Sequence, residues 1–358
     1  MINIQMIKDM TNAFGPSGFE HDVTKVAAEY SGNYPVKKDY MQNFYVNFNP
    51  DADKPVIMLD SHTDEVGFMV QAVMPNGLLK ILPIGGWVPS NVPAHTFIIK
   101  NSKGEYHRAI STSKPPHFSS SAELSKALDI YADIQLDLGV TSREQVFDVF
   151  GIQVGDPVAP EVYFDYNEKT GVMFGKAFDN RLGCCCILEV MKRLENRNDL
   201  PVHVTGALAS QEEVGMRGAK VTAQTVKPTF SITFEGTPAD DLYFDSYTAQ
   251  GVLGKGAQIR HLDNGMISNP QFIAFARELC EKYNIKAQYA VRKGGSTNAS
   301  SIHLANEGCP CLVIGVPSRY AHTHYGYAHV DDMEAAVELA VRVIENLTPE
   351  KIKEVFDV

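Results

Sequence analysis

The chain has few features of nucleic-acid-binding or membrane-spanning proteins. Its 358 residues include 32 Lys and Arg against 43 Asp and Glu, a net charge of −11, and no run of five basic residues. We therefore expect no nucleic-acid partner, because binding to phosphates needs a clustered basic surface. No segment comes close to the roughly 18 consecutive apolar residues of a membrane span, so we expect no membrane partner.

The six cysteines lack the spacing of a zinc site or of a disulfide scaffold. Cys184, Cys185 and Cys186 are contiguous, Cys309 and Cys311 flank a proline, and Cys280 is isolated. We therefore expect reduced thiols buried in the core. The N-terminal segment has neither the basic nor the apolar part of a secretory signal, and we expect a cytoplasmic location.

The chain does show an alternation of buried strands and amphipathic helices. Short apolar runs predict central strands at 56–59, 202–209, 230–234 and 311–314. Apolar residues recur with helical spacing between these runs, for example at 184–194. This alternation predicts a three-layer α/β/α domain with a mixed, mostly parallel sheet.

Residues 66–160 have a different pattern. β-rich segments such as 96–100 are separated by Pro, Gly, Asn and Ser, and one helical stretch is predicted at 121–131. Strands of this kind predict a small barrel-like domain inserted into the α/β domain. The α/β domain would then be discontinuous and consist of residues 1–65 and 161–358.

Acidic and imidazole side chains lie at or near the ends of predicted strands. The carboxyl ends of strands in an α/β sheet form its ligand crevice, so we expect these side chains to lie close together. Imidazole and carboxylate ligands suit Zn, Co or Mn, whereas a structural zinc site would be expected to use cysteine. The candidates are His62, Asp64, Asp179, Glu212, Glu213, Glu235 and His322.

Each candidate also has an ordinary structural explanation. His62 could be a hydrogen-bonded loop histidine, and Asn180 beside Asp179 could cap the following helix. Glu212 and Glu213 could be a solvated pair of charges. The metal-site hypothesis therefore depends on the common position of the candidates at strand ends.

Seven short motifs together resemble a known family. They occur in order at 15–20 (Gly-Pro-Ser-Gly-Phe-Glu), 62–67 (His-Thr-Asp-Glu-Val-Gly), 85–87 (Gly-Gly-Trp), 115–117 (Pro-Pro-His), 179–181 (Asp-Asn-Arg), 212–215 (Glu-Glu-Val-Gly) and 319–322 (Arg-Tyr-Ala-His). The set resembles the glutamyl aminopeptidase or tetrahedral (TET) aminopeptidase family, metallopeptidase family 42. The resemblance covers nearly the whole chain.

This resemblance implies a cytoplasmic aminopeptidase that removes N-terminal residues from peptides with two divalent metal ions per subunit. His62 and Glu235 would hold one ion, and Glu213 and His322 would hold the other. Asp179 would bridge the two ions. Zn or Co is expected, with Mn as an alternative. The inserted domain would mediate dimerisation and assembly of a homo-oligomer, often a dodecamer built from dimers.

The resemblance also implies roles for two further carboxylates. Glu212 would be the general base that takes a proton from the water shared by the two ions, and Asp64 would orient His62. Two positions depart from the family pattern, because Glu235 and Asn298 stand where aspartate is usual. The extra methylene of Glu235 changes its reach, and the neutral amide of Asn298 cannot supply a carboxylate's charge.

Two other functions remain open at this point. An endoglucanase-like glycoside hydrolase would also use paired carboxylates, although Trp87 is the only tryptophan available for stacking on a sugar. A non-catalytic assembly homologue could have lost its chemistry at Glu235 or Asn298. The sequence leaves open the native metal, the number of subunits and the side-chain preference at the cleaved residue.

Overall fold

The chain forms an eleven-stranded mixed sheet between helices, with a closed six-stranded barrel inserted into it. The computed structural model describes residues 1–356. The strands are β1 Val36–Lys38, β2 Phe44–Val46, β3 Val56–His62, β4 Gly67–Val73, β5 Leu79–Ile84, β6 Thr96–Lys100, β7 Tyr106–Ser111, β8 Gln135–Asp137, β9 Pro157–Pro160, β10 Asp165–Asn167, β11 Val172–Gly175, β12 His203–Ala209, β13 Phe230–Pro238, β14 Ala257–Leu262, β15 Ala287–Val291, β16 Cys311–Arg319 and β17 Gly326–His329. The helices are α1 Ile4–Asn12, α2 His21–Glu29, α3 Ser121–Leu124, α4 Ile130–Asp133, α5 Arg143–Phe150, α6 Phe178–Leu194, α7 Arg217–Val226, α8 Pro270–Tyr283, α9 Ala299–Ile302, α10 Val330–Asn346 and α11 Pro349–Phe356.

The centre of the large sheet is parallel. β12, β3, β13 and β16 lie side by side and run in the same direction. β2 and β1 extend the sheet beyond β12, while β17, β11 and β10 extend it beyond β16. β14 pairs with β16 and carries β15. The carboxyl ends of the four central strands therefore meet at one edge, where α/β sheets bind their ligands.

Helices cover both faces of this sheet. α1, α2, α6, α8, α10 and α11 share a core with one face, and α7 and α9 share a core with the other. Along β3, Ile57 and Leu59 point to the first core and Met58 to the second, as the alternation of side chains in a strand requires. The predicted three-layer α/β/α domain is confirmed. All six cysteines are buried and free.

The inserted barrel closes in the strand order β4-β5-β8-β7-β6-β9 and has its own core. Trp87 packs on Phe68, with ring centroids 5.0 Å apart. The predicted barrel-like insertion is confirmed, while the domain boundaries at 66 and 160 stay a prediction. Within residues 1–356, no helix has the length and apolar composition to cross a membrane.

The single helical stretch predicted at 121–131 is wrong. The structure has two short helices there, α3 and α4, separated by an irregular segment. The side chain of Asp129 accepts hydrogen bonds from the backbone N–H groups of Tyr131 and Ala132 and so starts a second helix. The backbone of Asp129 is extended, with φ −112° and ψ 122°, so one helix cannot continue through this residue.

Candidate metal centre

The candidate ligands meet at the carboxyl edge of the central strands. His62 is the last residue of β3, Glu235 lies within β13, and Glu213 and His322 follow β12 and β16. Asp179 comes from the first turn of α6, where the backbone departs from helical geometry. Strand order thus brings together residues that are far apart in the sequence.

Asn180 attaches the start of α6 to β13, and the alternative in which it caps the helix is wrong. Its Nδ2 donates to the Phe234 carbonyl at 2.8 Å, and its Oδ1 accepts from the Gly236 N–H at 3.0 Å. The backbones approach so closely that a Cβ on Gly236 would lie 2.6 Å from Asp179 Cα. Glycine is required there by this approach, which fixes Asp179 beside β13.

The two carboxylate oxygens of Asp179 face two different histidines. His62 Nε2 lies 3.2 Å from Oδ1, and His322 Nε2 lies 3.6 Å from Oδ2. His322 Nε2 is also 3.6 Å from Glu213 Oε2, and His62 Nε2 is 3.8 Å from Glu212 Oε2. Asp179 therefore stands between two imidazoles, each with a further carboxylate beside it.

Three overlapping sets of side chains have ligand atoms that all lie within 4.8 Å of one another. Two of these sets share Asp179, and they correspond to the two ligand groups implied by the family resemblance. The third set includes Glu212. The sets are His62, Asp179 and Glu235; Asp179, Glu213 and His322; and His62, Glu212 and Glu213. Nitrogen and oxygen donors in this number fit Zn, Co or Mn.

Both histidines direct the same ring nitrogen at the cluster. His62 Nδ1 lies 3.1 Å from the Asp64 carbonyl and 3.3 Å from Asp64 Oδ1. His322 Nδ1 lies 3.0 Å from the carbonyl of Gly86, in the segment that follows β5 of the barrel. A proton on Nδ1 satisfies these acceptors and leaves the lone pair of Nε2 for a cation.

The cluster is rich in carboxyl groups that are largely removed from solvent. Burial, reinforced by the neighbouring Asp179, raises the pKa of Glu213 and the pKa of Glu235 well above the usual value. Burial also raises the pKa of Glu212, to about 7. Although burial opposes its charged form, contacts with Asp179 and Asp64 raise the pKa of His62 well above the usual value. Raised pKa values of this kind are typical of buried carboxyl groups with too little positive charge around them. Bound divalent cations would supply that charge.

A buried ion network lies directly beside the candidate ligands, and the sequence did not predict it. Glu65 accepts hydrogen bonds from Lys176 at 2.6 and 2.7 Å and from Arg181 at 2.9 Å. Arg181 also donates to the carbonyls of Thr63 and Gly15. The network ties the N-terminal loop, the segment after β3 and the start of α6 together. No spacing rule relates these residues in the sequence.

The two departures from the family pattern lie in different places. Glu235 reaches the cluster despite its extra methylene, and Asn180 Nδ2 donates to its Oε2 at 3.2 Å. Asn298 is buried at the start of α9 and belongs to none of the three ligand sets. Among residues 1–356, its side-chain amide has no hydrogen-bond partner.

The histidines and carboxylates that meet at this edge of the three-layer α/β domain form a site with the ligand types of metal-dependent hydrolases. The family model described as M42 glutamyl aminopeptidase matches residues 42–339, and the chain belongs to this family. Membership confirms the prediction of an aminopeptidase, a peptide hydrolase.

Individual relatives agree with this assignment over almost their full length. Glutamyl aminopeptidase of Lactococcus lactis subsp. cremoris is 32% identical over 352 residues, which are 98% of each chain. Lysyl aminopeptidase of Pyrococcus furiosus is 27% identical over 98% of this chain and 99% of the relative. The crystal structure of a TET aminopeptidase from a marine sediment Thaumarchaeota archaeon is 32% identical and superimposes with a TM-score of 0.93, covering 98% of this chain and 99% of that one.

Proposed function

We propose that the chain is a dinuclear metal-dependent aminopeptidase in which Glu212 is the general base. The main support is Asp179, whose two carboxylate oxygens face His62 and His322 from opposite sides. Two cations about 3.5 to 4 Å apart can share one carboxylate in this way. His62 and Glu235 would hold one ion, Glu213 and His322 the other, and Asp179 both.

The chemistry divides between the ions and the protein. When bound, two divalent ions lower the pKa of a water molecule and polarise the carbonyl of the scissile bond. Glu212 would accept the proton of the attacking water and deliver it to the leaving amine. Its carboxylate lies 3.8 Å from His62 Nε2, and burial raises its pKa to about 7, which suits a base that works near neutral pH. Asp64 would hold the tautomer of His62 through Nδ1.

The first test is the Glu212→Gln variant. The amide keeps the size of the side chain but cannot accept the proton, so we expect kcat on aminoacyl p-nitroanilides and short peptides to fall by about 10² to 10⁴. Metal content by elemental analysis should remain at that of the wild type. Glu168→Gln, the same change at an exposed residue of the β10–β11 turn, should leave both unchanged. Unimpaired hydrolysis by Glu212→Gln would exclude Glu212 as the base.

A chelator distinguishes this proposal from the glycosidase alternative. The peptidase should lose activity in EDTA and recover it with Co²⁺ or Zn²⁺, whereas two carboxylates that cleave a glycoside need no transition metal. Absence of amino-acid release by metal-replete protein over the whole substrate panel would instead favour the non-catalytic homologue.

We also propose that several copies of the chain assemble, because the chain belongs to this family. We expect copies of the chain to form a homo-oligomer from dimers, through the inserted barrel, and to act in the cytoplasm. Light scattering coupled to gel filtration measures the number of subunits. A monomer at micromolar concentration would contradict the proposed assembly.

A further inference from the structure

We propose that Glu20 is a positioning residue for the general base, through a hydrogen bond to the backbone of the loop that carries Glu212. The inference rests on the proposed function of Glu212 and adds a residue from the N-terminal loop, 191 positions away from the amide it binds. Glu20 Oε1 accepts from the N–H of Gln211 at 3.0 Å and from the N–H of Gly18 at 2.7 Å. One carboxylate oxygen thus joins the two loops.

The loop after β12 is held by side chains at four consecutive amides. The N–H of Ser210 donates to Asn43 Oδ1 at 2.9 Å, and that of Gln211 donates to Glu20. The next two N–H groups, of Glu212 and Glu213, donate to the two oxygens of Asp64 at 2.9 and 3.1 Å. Each amide therefore depends on one acceptor from another part of the chain.

The backbone at Gln211 needs this support. Its φ is +52°, in the left-handed region that residues other than glycine rarely occupy. Such a conformation persists only where surrounding contacts stabilise it. Glu20 is fully buried, so water cannot replace its carboxylate as the acceptor without a rearrangement of the loop.

The N-terminal loop is itself attached to the segment that follows β3, beside the candidate metal centre. Ser17 Oγ donates to Asp64 Oδ2 at 2.6 Å, and Gln42 Nε2 donates to the carbonyl of Gly18 at 3.1 Å. Glu20 and Asp64 therefore form one continuous support beneath the segment 211–213. Loss of Glu20 should move the Glu212 carboxylate relative to the cluster, while the candidate metal ligands keep their own contacts.

The test compares Glu20→Ala with Glu20→Gln. Alanine removes the acceptor, whereas glutamine retains it, because only Oε1 accepts these bonds and Oε2 has no partner within residues 1–356. We expect kcat of Glu20→Ala to fall by about 10- to 100-fold, as a displacement of a catalytic group by roughly 1 Å can cause. KM and metal content should remain near the wild-type values. Glu20→Gln should stay within about threefold of the wild type by the same reasoning.

One further measurement and one control variant distinguish a positioning role from a merely structural one. Hydrogen–deuterium exchange of metal-free protein should be faster at 210–213 in Glu20→Ala than in Glu20→Gln. The matched control is Asp332→Ala, which removes another buried carboxylate that accepts two backbone N–H groups, from Gly254 and Gly256. This control should lower stability but leave kcat unchanged.

Each outcome decides the question. Normal kcat in Glu20→Ala, or an equal loss in Glu20→Gln, overturns the positioning role. Loss of metal together with activity also overturns it, because Glu20 would then act on the ligands. If Glu20→Ala does not fold, Glu20→Asp replaces it in the test. Its side chain is one methylene shorter and cannot reach the N–H of Gln211, so the same losses and the same contradicting outcomes apply. An inactive wild-type protein would refute the proposed function instead.

Discussion

The buried network around Glu65 allows a quantitative test of how the site is held together. Glu65, Lys176 and Arg181 are at most 5% exposed, and one carboxylate serves two cations. Glu65→Gln leaves both cations buried without a counter-charge, and loss of one partner of a buried pair costs about 3 to 5 kcal/mol. We therefore expect the free energy of unfolding to fall by about that amount.

Lys176→Met provides the comparison, because it leaves a balanced pair between Glu65 and Arg181. Burial lowers the pKa of Lys176 to about 8, so its charge is poorly supported in the fold. We expect this variant to cost less than about 1.5 kcal/mol, because no buried charge loses its counter-charge when Glu65 and Arg181 remain paired. In the double variant, the cost should be smaller than the sum of the single costs by roughly 1 to 3 kcal/mol.

Urea denaturation of metal-free protein at one protein concentration measures these values, because assembly and metal binding both change apparent stability. Glu168→Gln serves as the exposed control for the carboxylate-to-amide change. A cost below about 1 kcal/mol for Glu65→Gln, or an equal cost for Lys176→Met and Glu65→Gln, would refute the proposed stabilisation by Glu65.

Three further results are expected. Gly236→Ala should lose metal and activity, because its Cβ would lie 2.5 Å from the Phe178 carbonyl and displace Asp179; normal metal content by elemental analysis would contradict this. Asp179→Asn should reduce metal content for both ions, and retention of two ions per chain would exclude Asp179 as the bridge. Burial, followed by repulsion from Asp64, raises the pKa of Glu20 from 4.5 to about 7. Protonated Glu20 therefore stabilises the fold below about pH 4.5, and this part of the free energy of unfolding is lost as the pH rises towards 7. Glu20→Gln should remove this decline, which is at most about 1.4 kcal/mol per pH unit. Urea denaturation at several pH values measures it, and the same dependence of the free energy of unfolding on pH in the variant and the wild type would contradict the prediction.

The sequence predicts the layers of this fold because their signals are local. Apolar runs such as 311–314 and the helical spacing at 184–194 identify buried elements without knowledge of their neighbours. The same logic finds His62 and Glu213, because both follow such runs. Asp179 follows none of the four central strands but precedes the helical spacing at 184–194, and its place in the site depends on the attachment of Asn180 to β13.

The supporting contacts could not be predicted because they join distant segments without a periodic pattern. The Gly86 carbonyl reaches His322 across 236 positions, and Lys176 reaches Glu65 across 111. Side chains that bind backbone groups leave no spacing signal in a single sequence. The motif at 15–20 did mark the N-terminal loop, but only the fold assigns its Glu20 a partner.

The central claim is that two cations share Asp179. Its most direct test is an anomalous difference map from crystals of the protein loaded with Zn²⁺. We predict two peaks about 3.5 to 4 Å apart, one beside His62 and Glu235 and the other beside Glu213 and His322. A single peak, or peaks that do not contact Asp179, would contradict it.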